Sequence, residues 1–310
     1  MKTYEAAGYL TVFSFSSTFL ANSILIYLTI FHIKLITGPY KWMIVIFAFI
    51  GIIFSFEEIT VRPCIHNFNG AFMFFSLKGT IPKAILPLGT ACFGGFISII
   101  LAFVAMQFLF RYWTLSNSPF INTFRGFRAL IWVVFVLTPS VFYVTVTFLL
   151  VSPNDFSDSY MEGEFLGVYD YPLREASRFI VMAYNKDGSL CWKGVGFVIS
   201  TAGIITASFI IIIYSAVRMR REMRTALNQM SARKRTLETQ FFKALMVQTA
   251  FPTFLLVLPT GPVIFLPFLD LKVSIQSGFL FALFGLYPPM DSIAMMMIIS
   301  EYKTCMKSEL

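Results

Sequence analysis

Seven stretches of this chain are each long and apolar enough to cross a lipid bilayer, and positive charge gathers at every second gap between them. A hydrocarbon core of roughly 30 Å needs about 20 mostly apolar residues of helix. That rule predicts spans over 9–31, 42–61, 88–108, 130–151, 195–217, 244–266 and 275–300. Lipid offers no hydrogen-bonding partner to an open strand edge, so each span is expected to be a helix. Charged residues make up only 13% of the chain and hydrophobic ones 57%. Soluble domains carry about 25% charged residues, and a soluble fold of this composition would expose large apolar patches and aggregate.

Lysine and arginine set the expected orientation. The gaps after the first, third and fifth spans, together with the C-terminal segment, hold Lys34, Lys41, Arg111, Arg125, Arg128, Arg218, Arg220, Arg221, Arg224, Arg233, Lys234, Arg235, Lys243, Lys303 and Lys307. That is fifteen of the 24 basic residues, against four of the 16 acids. The positive-inside rule puts that side in the cytoplasm and the N-terminus outside. The net charge of +8 is then explained by anionic inner-leaflet lipid, without nucleic acid. The first apolar stretch is too long for a cleaved signal peptide and reads as a retained anchor. No glycosylation sequon occurs.

The chain reads as a single domain, 1–310, without repeats. Its longest connections are an acidic, aromatic loop over 152–194, long enough to cover a pocket, and a basic segment over 218–240. Few charges are predicted inside the bilayer, where they are costly and usually functional. Asp291 lies deep in the seventh span; Glu57 and Glu58 lie near the outer end of the second. No clustered metal ligands appear, and no nucleophile and base that can meet. The expectation is therefore a protein without metal, cofactor or catalytic centre. Scarce buried charge and absent inverted repeats oppose a transporter. The prolines Pro252, Pro259, Pro262, Pro288 and Pro289 are expected to kink spans six and seven, and the kinks near Asp291 mark span seven as the expected moving part.

Arg111 ends the third span beside Tyr112 and Trp113. No acid precedes it, so an ion pair that locks it must come from elsewhere in the fold. The many phenylalanines, 37 in all, suit a pocket for small apolar ligands held by shape and a few polar groups. Candidate ligand contacts are Glu57, Glu58 and Phe96. Cys305 is a candidate palmitoylation site. Cys191 is a candidate disulfide partner for Cys92, with Cys64 as the competing partner.

Several segments together carry a resemblance: Asn22-Ser-Ile-Leu-Ile-Tyr-Leu in span one, Gly38-Pro-Tyr-Lys-Trp-Met in the first inner loop, Phe110-Arg-Tyr-Trp-Thr-Leu ending span three, Gln240-Phe-Phe-Lys-Ala-Leu-Met at span six, and Tyr287-Pro-Pro-Met-Asp in span seven. In this order they resemble the nematode chemoreceptors of the Str group (serpentine receptor class r, diacetyl-receptor-like). The chain departs from the group at Phe110, where tyrosine is usual, and at Ser292, where proline often follows the aspartate.

The resemblance implies an all-α, seven-transmembrane bundle of the G-protein-coupled-receptor type. It also implies a plasma-membrane receptor for a small, apolar environmental chemical, placed in the sensory cilium of a chemosensory neuron. In that frame Arg111, Tyr112, Arg220, Arg221 and Arg224 face a heterotrimeric G protein. Asp291 belongs to an inter-helix polar switch, with Asn22 its first expected partner. The alternative is an odorant-gated cation channel of inverted topology, which the charge bias opposes. An epitope fused ahead of Met1 should therefore be stained on intact cells, and one after Leu310 only after permeabilisation; the reverse pattern would favour the inverted channel.

Overall fold

A computed structural model describes residues 2–78, 81–226, 231–269, 271, 273–276 and 278–309. Among them are seven helices long and apolar enough to span a membrane. The first is α1 (Lys2–Tyr27), carried on by a π-turn over Leu28–His32; the next are α2 (Pro39–Val61), α3 (Leu86–Leu115) and α4 (Leu130–Leu150). After α5 (Asp155–Tyr169), which lies outside the bundle, the fifth span is α6 (Trp192–Ala226). The sixth is α7 (Ala232–Pro252), a π-turn (Thr253–Val257) and α8 (Leu258–Phe265). The seventh is α9 (Gly278–Phe284) followed by α10 (Tyr287–Ile298), and α11 (Ser300–Glu309) closes the fold. Spans three, five and six run past an expected end, to Leu115, to Ala226 and back to Ala232, because apolarity marks only the lipid-buried part; the fourth keeps its expected bounds to within one residue.

α3 is the centre of the bundle. Of its apolar window 72% is buried, against 17% for the fourth span, and it packs on α2, α4 and α6. The prolines break spans six and seven as expected, in two ways. In span six the ladder widens into the π-turn directly after Pro252, whose ring removes an internal donor. In span seven the helix stops at Gly285 and Leu286 and restarts with Pro288 and Pro289 in the first turn of α10, where missing donors cost nothing.

One part of the fold was not expected from the sequence. Four antiparallel strands form a sheet over the bundle end that carries the N-terminus: β1 (Cys64–Phe68), β2 (Ala71–Ser76), β3 (Ser177–Met182) and β4 (Ser274–Gln276), in the order β3-β2-β1-β4. The β1–β2 hairpin turns on Asn69 and Gly70, with Asn69 at φ +46° and Phe68 paired to Ala71. Successive side chains face opposite ways. Ile65, Phe72, Phe74, Phe179 and Val181 pack towards the spans, while Cys64, Met73, Phe75, Ile180 and Met182 pack under α5. α5 starts with a reciprocal capping box between Asn154 and Ser157. It is clamped by Arg178, which donates to both carboxylate oxygens of Asp158 at 2.8 and 2.7 Å. The long loop over 152–194 is thus an ordered cap.

Its interior holds His66, which is fully buried. Nδ1 lies 3.2 Å from the Tyr169 hydroxyl and Nε2 3.6 Å from Glu164, which also accepts from Ser274 at 2.5 Å. Burial holds the imidazole below its ordinary pKa of 6.5, and the nearby Glu164 only partly offsets this. A depressed histidine pKa stabilises the fold above the unfolded value, and that stability is lost as pH falls through the folded value. Protection factors for hydrogen exchange in β1 and α5, with the intrinsic rate at each pH divided out, should therefore fall between pH 7.5 and pH 5, and His66→Gln should flatten that dependence.

Candidate functional site

Two regions, at opposite ends of the bundle, and a polar seam between them carry the chemistry. Beneath the sheet lies an apolar cavity of about 240 Å³. Its roof is Ile65, Phe72 and Phe74; its walls come from α3 (Phe93, Ile97), α4 (Tyr143), α6 (Phe197, Ile205), span six (Leu256, Ile264) and α9 (Phe281, Phe284). No charged side chain lines it. Its polar groups are hydroxyls, and Ser98, Thr201 and Thr260 donate theirs to their own helices, to Gly94, Phe197 and Leu256. An apolar cavity near 150 Å³ is enough for benzene. This one suits a neutral molecule somewhat larger.

The expected ligand contacts do not line this cavity. Phe96 turns away from it, towards a groove on the lipid-facing side between α2, α3 and α4. Glu58 points to α1 and accepts from Thr11 at 3.4 Å, and Gly285 of span seven is the close neighbour of Glu58 and Ser14. Both carboxylate oxygens of Glu57 are buried without a hydrogen-bond partner. The reason is helical phase: α2 borders the cavity on neither of these faces.

At the basic end, Arg111 is buried between two rings, its Cζ 3.5 Å from the ring centroids of both Tyr40 and Phe241. Nη1 reaches Glu238 at 3.5 Å. A desolvated cation–π contact is worth about 2 kcal/mol, so the two rings hold the guanidinium at least as firmly as the single long ion pair. These groups come from α3, the start of α2 and the start of span six. They border an opening of about 410 Å³ between those elements. Tyr112 faces α6, where Arg218 Nε donates to its hydroxyl at 3.3 Å. Arg220, Arg221 and Arg224 are exposed on the end of α6. The acid that Arg111 needs is Glu238, and neither it nor the two rings could be assigned from spacing along the chain.

Between the ends, Asp291 is buried and its Oδ2 accepts from Gln248 Nε2 of span six at 3.0 Å. The expected partner, Asn22, binds the neighbouring residue instead: Ser292 Oγ donates to Asn22 Oδ1 at 2.5 Å, and Asn22 Nδ2 donates to the Ala48 carbonyl at 2.8 Å. One residue along a helix is about 100° of rotation, enough to send Asp291 to span six and Ser292 to span one. Asn22, Asp291 and Ser292 surround a void of about 10 Å³, the size of one water.

None of the four cysteines is in a disulfide. Cys92 sits inside α3, whereas Cys191 packs in the cap with buried Cys64, so the pairing of Cys92 with Cys191 is not formed. Cys305 lies on α11, half-buried against the basic-end core. Among the described residues there is no cluster of three His, Cys, Asp or Glu that could hold a metal.

Comparison with known proteins agrees with this geometry. A family model described as "Serpentine type 7TM GPCR chemoreceptor Str" matches residues 7–307. The chain is 34% identical to G-protein coupled receptor str-33 of Caenorhabditis elegans, over 94% of this chain and 87% of that one. It is 24% identical to serpentine receptor class r-10 of the same species, over 86% and 80%. Squid rhodopsin shares the fold, with a TM-score of 0.51 at 15% identity, over 94% of this chain and 81% of that structure.

Gln248 is the one donor to Asp291 among the described residues, and stranding a buried acceptor costs about 1–3 kcal/mol. Gln248→Leu should lower the thermal unfolding midpoint by several degrees in detergent. Adding Asp291→Leu should restore part of the loss, since paired residues are not additive. Additive losses would show that the two side chains do not support each other.

Proposed function

The chain belongs to the Str family of serpentine seven-transmembrane chemoreceptors, and on that premise we propose that it is a chemosensory receptor which binds a small neutral molecule beneath the cap and activates a heterotrimeric G protein at the basic end. It is a multi-pass membrane protein of the G-protein-coupled-receptor type. In the proposed orientation the N-terminus and cap face outside. The site of action is the cilium of a chemosensory neuron, as befits a receptor for environmental chemicals.

The observation that carries the reading is the Arg111 clamp. Its jaws, Tyr40 on one side and Phe241 with Glu238 on the other, belong to different helices. Moving the start of span six outwards would strip Arg111 of one ring and of its counter-charge at once. It would also widen the opening beside Arg111, Tyr112 and the exposed Arg220, Arg221 and Arg224. That is a two-state element of the kind a receptor needs. The closed clamp corresponds to the resting state, and Asp291 with Gln248 ties span seven to the moving helix. The cavity supplies the ligand's side: it is apolar, uncharged and roofed. The ligand class it favours is a volatile or otherwise apolar compound.

The decisive experiment is G-protein activation in a heterologous cell against a broad panel of small neutral odorants, at matched surface density. Glu238→Gln should raise basal signalling by about tenfold, equivalent to roughly 1.4 kcal/mol between states. Arg111→Ala should abolish the agonist response while surface expression survives. Ile97→Trp, which fills the cavity, should abolish agonist potency and leave the raised basal signal of the Glu238→Gln background intact. Normal signalling by Arg111→Ala would reduce that residue to a membrane anchor.

A further inference from the structure

The groove that Phe96 faces is built for an occupant of its own. It opens sideways into the membrane between α2, α3 and α4, near the basic end, and encloses about 620 Å³. Its floor is buried and apolar: Phe103, Met106, Phe124 and Val136. Trp132 and Phe124 stack at 4.3 Å with only 6° between their planes, and Trp132 Nε1 is tied to Thr123 at 3.0 Å. That makes one wall a fixed slab. Trp42, 58% exposed, stands on the opposite rim. From Phe96 to Met106 on α3 the groove runs ten residues, about 15 Å, or half of a roughly 30 Å hydrocarbon core. It therefore spans the depth of one leaflet.

The mouth differs from the rest. Arg125 lines it, presented by the turn at Gly126, whose φ is +60°. Arg128 follows on the same short helical turn, and both arginines are exposed. No acidic side chain pairs with either among the described residues. An apolar slot one leaflet deep, with two uncompensated guanidinium groups at the level of the headgroups, matches one kind of molecule. We propose that the groove binds an anionic glycerophospholipid, with one acyl chain along α3 and its phosphate on Arg125 and Arg128.

The physical division of labour is clear. Burying an acyl chain here gains little over leaving it in bilayer, since lipid tails are as apolar as the groove. The chain fills a void that would otherwise forfeit dispersion contacts. Selectivity comes from charge, because a juxtamembrane arginine attracts anionic lipid by about 1 kcal/mol. The proposal puts this mouth at the cytoplasmic leaflet and so rests on the orientation given above, but binding in micelles does not depend on it.

The test is native mass spectrometry of the whole receptor in detergent, titrated with phosphatidylserine, with phosphatidylcholine of the same acyl chains, and with cholesterol. Phosphatidylserine should bind at least tenfold more tightly than phosphatidylcholine. Arg125→Ala and Arg128→Ala should each weaken it about fivefold, and Lys307→Ala, at the same end but away from the groove, should not. Ala129→Trp, which plugs the slot, should remove the bound lipid, with thermal unfolding checked to confirm the fold. Equal binding of the two phospholipids, preference for cholesterol, or indifference to the arginine variants would each overturn the proposal. Reversed epitope staining with intact phosphatidylserine binding would remove the orientation and leave the lipid site standing.

Discussion

A polar group inside a membrane bundle is costly unless it finds a partner within the protein, and the first span meets that constraint at four of its five buried polar positions, all but Ser14. Thr11, Ser14, Thr18 and Asn22 on α1, and Thr29 in the π-turn that continues it, are all buried. Each of four reaches another element: Thr11 to Glu58, Thr18 to Ser55, Asn22 to Ala48 and Ser292, Thr29 to Tyr302 at 2.7 Å. Helices in lipid gain little from apolar contact alone, so this seam is what fixes α1 against spans two and seven. It also explains two glycines. A side chain at Gly51 would strike Asn22 Nδ2 at 2.6 Å, and one at Gly285 would strike Glu58 and Ser14. The spans can approach closely enough to hydrogen-bond only because those positions carry no Cβ.

The seam sets where the working groups sit. With Ser292 fixed on Asn22, the helical turn leaves Asp291 facing span six and Gln248. With Tyr302 fixed on Thr29, α11 is held against the start of the loop between spans one and two, where Glu301 accepts from the backbone amides of Lys34 and Leu35. That loop leads into Tyr40, one jaw of the Arg111 clamp. The seam thus fastens spans one and two together and bonds α10 to them through Ser292, while Asp291 on the same helix bonds to span six. The clamp joins span two to the element that has the most ways to bend.

Much of this was legible in the sequence, and the boundary is physical. The seven spans stand out because hydropathy is a local property that needs no partner. Arg111 and Asp291 stand out because charge is rare in such a chain. Partnerships do not, because they depend on helix phase and on which helices meet: Asn22 was one residue from its true contact, and Phe96 lies on the wrong side of α3 for the cavity. The sheet was hidden for another reason. Its strands are covered by the bundle on one face and by α5 on the other, so Ala71-Phe-Met-Phe-Phe-Ser reads as a continuous apolar run without the alternation that marks a half-exposed strand. The Asn69-Gly70 pair was the available signal, and it marks the hairpin turn.

The cavity and the clamp communicate, on the proposed reading, through the two broken helices. Leu256 and Thr260 reach the cavity from the π-turn and the helix after it, while Phe241 and Glu238 lie on the other arm of the same span, before Pro252. Phe281 and Phe284 reach it from α9, and Asp291 lies past the break at Gly285. A ligand thus touches one arm of each lever, and the clamp and the Asp291–Gln248 bond sit on the other arms. The cap opposes it from above, through Ile65, Phe72 and Phe74 on a sheet whose far face is locked under α5. Because the roof is rigid and α3 is packed on three sides, the segments with the least resistance to an inserted molecule are the two whose hydrogen-bond ladders are already interrupted. Bistability follows from that asymmetry: an occupant that fits only when spans six and seven shift favours the state in which Arg111 loses Phe241 and Glu238 together.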